Sequence, residues 1–187
     1  MKNLLLTQEN LEKFKRGDKT QIRRLHGLKE INENPDDWVK PFELDCEPGL
    51  WTIRNYKTGA VIAFKPRYHV GEVVFVGEPW HYINIPEYNY GIEYADGEIR
   101  WWADNGNEMN YPLDEKPRSP RFMFAKDEKP RSPRFMFAKY ARTHARITSV
   151  GCGRLWDMTE ADCIAEGIEA WASNLWVLIY GIERVEL

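Results

Sequence analysis

Gly17-Asp18-Lys19-Thr20-Gln21-Ile22-Arg23-Arg24 places four cationic or hydroxyl side chains directly behind a glycine that should end a helix. Upstream, Gln8 to Arg16 reads as about two helical turns, with Thr7 as N-cap and Leu11 and Phe14 at the i, i+3 spacing of a buried stripe. Gly17 fits the left-handed position just past a helix end, where the lack of a Cβ removes the steric cost. The chain should leave that turn extended, so that Lys19, Gln21 and Arg23 share one face and Thr20, Ile22 and Arg24 the other. Two readings fit these residues. One is a solvated, basic helix-to-strand turn; the other is a cluster of phosphate-seeking and amine groups gathered for chemistry.

Composition bounds the answer. At 187 residues, 43% hydrophobic and 13% aromatic, the chain can bury one good core and is expected to form a single domain over 1–187. A formal net charge of -3 argues against generic coating of nucleic acid but allows a local basic site. Cys46, Cys152 and Cys163 are odd in number and lack C-x-x-C or Cys/His spacing, so reduced thiols and no metal or cofactor are expected. The apolar run Leu4-Leu5-Leu6 is too short for a signal h-region, and no segment approaches the roughly 20 apolar residues of a membrane span. A cytoplasmic protein with no membrane partner is the expectation.

Along the chain, residues 32–48 are rich in Pro, Asp and Asn and read as a surface loop insertion. Leu50 to Arg54 and Ala60 to Phe64 flank a plausible hairpin turn with Gly59 in it. Val73-Val74-Phe75-Val76 is a continuous apolar run, as expected of a strand buried on both faces. Glu98 to Trp102 and Arg142 to Val150 are further candidate strands. Thr159-Glu160-Ala161-Asp162 has the form of a capping box, opening a short helix that Gly167 would stop.

Residues 114–126, Asp-Glu-Lys-Pro-Arg-Ser-Pro-Arg-Phe-Met-Phe-Ala-Lys, recur without change as residues 127–139. Two copies are too few for a repeat architecture, which needs about three units to bury a shared core. Two prolines per copy forbid a continuous helix. Each copy holds two acids and four bases, so the pair contributes +4 to a chain whose total is -3. Duplicating an inward-facing strand would slide every later element, so one copy should occupy the place the fold provides. The second, which runs straight into Tyr140 to Ile147, is the expected one. The first would be a loop insertion exposing Phe122, Met123 and Phe124, either a tolerated duplication or a basic, aromatic nucleic-acid clamp.

The Gly17-x-Lys19-Thr20-x-x-x-Arg24 pattern resembles the N-terminal signature of ASCH domains. Tyr68 to Trp80, Arg146 to Thr148 with Asp157 to Ile168, and Asn174 to Tyr180 resemble later parts of the same family in the same order, especially its phage-encoded members. The resemblance implies an α+β fold, a PUA-like mixed β-barrel with a few short peripheral helices. It also implies recognition of RNA or a modified nucleotide. Likeness to the family's N4-acetylcytidine amidohydrolases puts Lys19 and Glu166 on catalytic positions, where a desolvated lysine would act as base or nucleophile and the carboxylate would orient it. The family's catalytic threonine falls on Ile22, so that hydroxyl is absent. Thr20, Arg23, Arg24, Glu78, Trp80 and Arg142 are the corresponding ligand-binding candidates.

Trp80, Trp101, Trp102 and Trp176 are candidate stacking platforms, against the plainer reading that large rings fill the core. His69 and His81 lack ligand spacing and read as ordinary surface residues. Three functions stand open on the sequence: a module binding RNA or a modified nucleotide, an amidohydrolase or nuclease, and a phage-encoded interaction protein that uses its Phe-Met-Phe segment.

Overall fold

The computed structural model describes residues 1–45, 47–85, 89–103, 108–109, 125–126, 129–157, 159 and 171–186. In chain order the elements begin with β1 (Asn3–Leu5), α1 (Gln8–Arg16), β2 (Gln21–Arg24), β3 (Phe42–Glu43), β4 (Trp51–Arg54), β5 (Val61–Phe64) and β6 (Val73–Gly77). They continue with β7 (Trp80–Ile85), β8 (Asn89–Tyr94), β9 (Ile99–Ala103), β10 (Glu108–Met109), β11 (Ala125–Lys126), β12 (His144–Arg154) and β13 (Trp176–Val185). The helix expected to open at Thr159 and stop at Gly167 lies, apart from Thr159, outside the described residues.

The expectation of a PUA-like barrel is overturned. The strands form three separate sheets of five, five and three strands, and none closes on itself. Closure needs a sheet's two edge strands to meet through a continuous sheared ladder. Every edge strand here is only two to four residues long. The chain is mostly sheet, with one α-helix among the described residues, so a mixed α+β class with few helices still describes it. No helix among the described residues is long and apolar enough to cross a membrane.

The chain divides into two compact units, the first made of Met1–Leu5 and Phe75–Arg142, the second of Leu6–Val74 and Thr143–Leu187. In the second unit, α1 has the ends its sequence specifies. Thr7 Oγ1 accepts from the Asn10 N–H, while Gly17 sits at φ 85°. The N–H groups of Gly17 and Asp18 donate to the carbonyls of Phe14 and Lys13, closing the last turn. Leu11 and Phe14 are buried. β2 pairs antiparallel with β13, which also pairs along its length with β12. Ile22 is fully buried and Gln21 exposed, while Arg23 and Arg24 are both half-buried, so burial alternates only over the start of β2.

β4 and β5 form the expected hairpin, joined to β3. Asn55 Oδ1 accepts from the N–H groups of Lys57 and Thr58, and Gly59 takes φ 75° to finish the turn. Residues 32–48 are not wholly irregular: they hold parts of two 3-10 turns, Ile31–Glu33 and Pro35–Asp37, and the short strand β3.

In the first unit, β1 runs parallel to the Phe75–Gly77 part of β6, all of it buried. β7, β8 and β9 form an antiparallel meander edged by β10 and β11. Phe75, Trp80, Ile92, Tyr94, Met136 and Tyr140 pack into its core. Met136 belongs to the second copy of the duplicated segment. Of the first copy only Ala125–Lys126 is described; it pairs with Asn84 and Ile83 of β7, whereas the identical Ala138–Lys139 lies in a 3-10 turn. The expected exposure of Phe122, Met123 and Phe124 lies outside the described residues.

Candidate functional site

In the second unit a cleft of about 360 Å³ opens among Glu43, Pro48, Gly49, Trp51, Pro66, Tyr68, His69, Val70 and Val150. Its construction follows from strand register. Glu43 of β3 and Trp51 of β4 are direct cross-strand partners, so both project on one face of the three-stranded sheet. Tyr68 supplies the buried wall, packing edge-to-face on Tyr180 with ring centroids 5.2 Å apart. The Tyr180 hydroxyl accepts from the Arg67 N–H at 3.1 Å, which ties the 66–70 segment to β13. Glu43 Oε1 accepts from the Gly49 N–H, and Glu72 Oε2 from the His69 N–H, so the rim is held by short local bonds.

A cation packs against the aromatic wall. The Arg67 guanidinium lies 5.5 Å from the centroid of the Tyr68 ring. Burial pushes the Tyr68 phenol up from its usual value, while the charges of Arg67 and then Arg24 pull against that rise. Tyr180 is raised for the same first reason, burial, and it too feels Arg24. Ile22, Tyr180 and Val150 form one cross-sheet row, because Tyr180 is in register with both of the others. The position that the sequence resemblance assigns to a catalytic threonine therefore lies two strands from the cleft lining, and is occupied by a buried alkyl group.

No family model, curated protein or solved structure matches the chain. The site must be read from its own chemistry.

Of the residues singled out from sequence, Lys19, Thr20, Arg23 and Arg24 lie together at and just before β2 in the second unit, with Thr20 exposed and Lys19, Arg23 and Arg24 half-buried. Arg24 Nη1 donates to the Arg23 carbonyl at 2.8 Å. Glu166 lies outside the described residues. Trp176 is buried, its indole N–H donating to the Pro35 carbonyl, while the side chains of Trp101 and Trp102 lie outside the described residues.

Glu78, Trp80 and Arg142 belong to the first unit, where they form a different arrangement. The Arg142 side chain is 7% exposed and Glu78 only 2%, and Arg142 Nη2 donates to Glu78 Oε2 at 2.7 Å. The same guanidinium donates to Asp96 at 2.6 Å and to Glu98, and stacks 4.1 Å from the Tyr94 ring centroid. Burial alone would lower the Arg142 pKa, but the bonds to Glu78 and Asp96 outweigh it and hold the group charged. Tyr94 donates its hydroxyl to the Tyr140 carbonyl, and burial carries its pKa above the phenol range. Trp80 is a core side chain, with Arg131 5.0 Å from its ring centroid and its indole N–H buried without an acceptor. Glu78 and Arg142 thus serve each other, and Trp80 offers no ring face to solvent.

Sequence reasoning missed Trp51, Glu43 and Arg67, whose roles arise only from pairing and packing. It also missed Asp96 and Glu98. A signal for those two exists in Asp96-Gly97, a strong hairpin-turn dipeptide, and Gly97 takes φ 84° between β8 and β9.

Proposed function

We propose that the protein is a binding module for a nucleotide or modified nucleobase, held in the cleft of its second unit. The base would enter between Trp51, Tyr68 and His69, with Glu43 as an acceptor for ring or exocyclic N–H groups. Arg24 and Arg67 would stabilise an attached phosphate. The observation that carries this reading is a ligand-sized cleft walled by Trp51 and Tyr68, with the Arg67 guanidinium 5.5 Å from the Tyr68 ring centroid. The resemblance of the Gly17 to Arg24 stretch to ASCH domains points toward the same ligand class.

Binding rather than turnover is the reading we favour, because the resemblance puts the amidohydrolases' catalytic threonine on Ile22, which has no hydroxyl. Reactions that use several groups in concert fall by orders of magnitude when one is lost.

The test is calorimetric titration with a panel of nucleosides and nucleotides, N4-acetylcytidine included, alongside mass spectrometry of the mixtures. A member should bind without being converted, and Trp51→Ala should weaken it roughly tenfold, the loss of one stacking ring. Arg24→Ala should weaken the phosphorylated form more than the free nucleoside. Absence of binding across the panel, or binding indifferent to Trp51, would remove the proposal; turnover abolished by Lys19→Ala would replace it with an enzyme.

A further inference from the structure

We infer that residues 129–139 of the first unit form a platform for single-stranded nucleic acid, bases stacking on Phe135 and Phe137 and phosphates held by Lys129, Arg131, Arg134 and Lys139. The segment holds four cations and no acid. Phe135 and Phe137 are 67% and 61% exposed, yet Met136 between them is 4% exposed and packs into the core. The two rings are therefore outward-facing neighbours of an inward anchor, not loose ends of a loop.

The backbone beneath them is fixed. Ser132 Oγ caps the Pro133–Phe135 turn by accepting from the Arg134 N–H. The Pro133 carbonyl accepts from Asn3 Nδ2 at 3.0 Å, and Arg131 pairs its backbone with that of Trp80. The Phe137 ring meets Tyr140 edge-on at 6.0 Å. Two cations lie against aromatic rings, Arg131 between Trp80 and Tyr82 and Lys139 at 4.7 Å from Tyr140, and both side chains remain exposed. Such preorganisation lowers the ordering cost of binding.

Charge and rings together select the occupant. An acidic peptide would match the cations but carries no flat face for each ring. A single strand presents a phosphate and a π-face at every nucleotide, which is the pairing of features that sequence-tolerant single-strand binders use. This site lies in a different unit from the nucleotide cleft and stands independently of it.

Fluorescence anisotropy of labelled oligouridylate and oligodeoxythymidylate against the full chain tests the proposal. With four phosphate contacts, affinity should fall roughly 50-fold between 50 and 200 mM salt, from a slope near -0.7 per contact. Phe135→Ala/Phe137→Ala should cost at least about tenfold at fixed salt, and Arg134→Glu should flatten the salt slope. Because the sequence repeats these phenylalanines at 122 and 124, Phe122→Ala/Phe124→Ala is measured in parallel.

A loss from the 135/137 variant supports the platform, provided that its thermal unfolding matches the unsubstituted chain, as exposed rings should allow. No binding, loss from the 122/124 variant alone, or equal capture of polyglutamate-competed strand by both phenylalanine variants and the parent would overturn it. Phe135→Ala/Phe137→Ala is scored on oligonucleotide binding and Trp51→Ala on free-nucleotide titration, so failure here and failure of the cleft are read separately.

Discussion

Replacing Arg142 by Met should be the most damaging polar substitution in the first unit. The guanidinium makes its closest buried contact with Glu78, whose side chain is 2% exposed, whereas its other partners Asp96 and Glu98 are about half exposed. Water can re-solvate the two exposed acids, so each contributes at most about 1 kcal/mol. Glu78 cannot be re-solvated, and stranding one member of a buried pair costs about 3–5 kcal/mol. That is a large share of the 5–15 kcal/mol that holds a typical domain. Urea unfolding gives the loss, and hydrogen exchange over β7 and β8 shows that it is local to the first unit.

The reasoning makes a second demand. Arg142→Met combined with Glu78→Leu should recover most of the loss, because the charge that was stranded is gone. A single variant costing below about 1 kcal/mol would place the pair in the surface class and refute the argument, as would a double variant no more stable than the single one. pH adds a check. Burial would raise the Glu98 pKa, but Arg100 and Arg142 hold it below its ordinary 4.5. Its contribution is complete above that value and declines as pH falls through the lowered one.

Three shorter predictions follow from individual sites. Gly77→Ala would set a Cβ 2.6 Å from the Pro133 carbonyl oxygen and 2.8 Å from Asn3 Oδ1, so it should destabilise by about 1–3 kcal/mol and speed exchange over 131–137; a neutral result would show that the strip is not packed on β6. Ile22→Thr should cost about 2–3 kcal/mol, seen as a lowered midpoint in urea, since it trades buried alkyl volume for a buried hydroxyl beside Tyr180. The Cys152 thiol is buried and its pKa is pushed up to about 12, so peptide mapping after alkylation at mildly alkaline pH should find it unmodified in the native chain and modified in denaturant.

What the sequence determined by itself was local. Thr7 and Gly17 delimit α1 because a side-chain acceptor and a Cβ-free residue satisfy helix ends within a few positions. The β4–β5 hairpin and the facing of Ile22 on β2 follow from turn chemistry and a two-residue alternation. The run of Lys and Arg behind Gly17 was legible in the same way, but Arg67, the cation packed on the Tyr68 wall of the candidate site, was not. The wall of the site was not, because Trp51, Tyr68 and Val150 come from three separate parts of the chain.

Tertiary structure decided everything that depends on which strand meets which. Closure of a sheet is such a property, and short edges left all three sheets open where a barrel was expected. Glu78 and Arg142, 64 positions apart, became partners. The duplicated segment shows the limit most directly: the same Ala-Lys dipeptide is strand at 125–126 and 3-10 turn at 138–139. The copies are identical residue for residue, so the difference lies in their surroundings: the β7 ladder beside one, and the following Tyr140 with the packing of Met136 at the other.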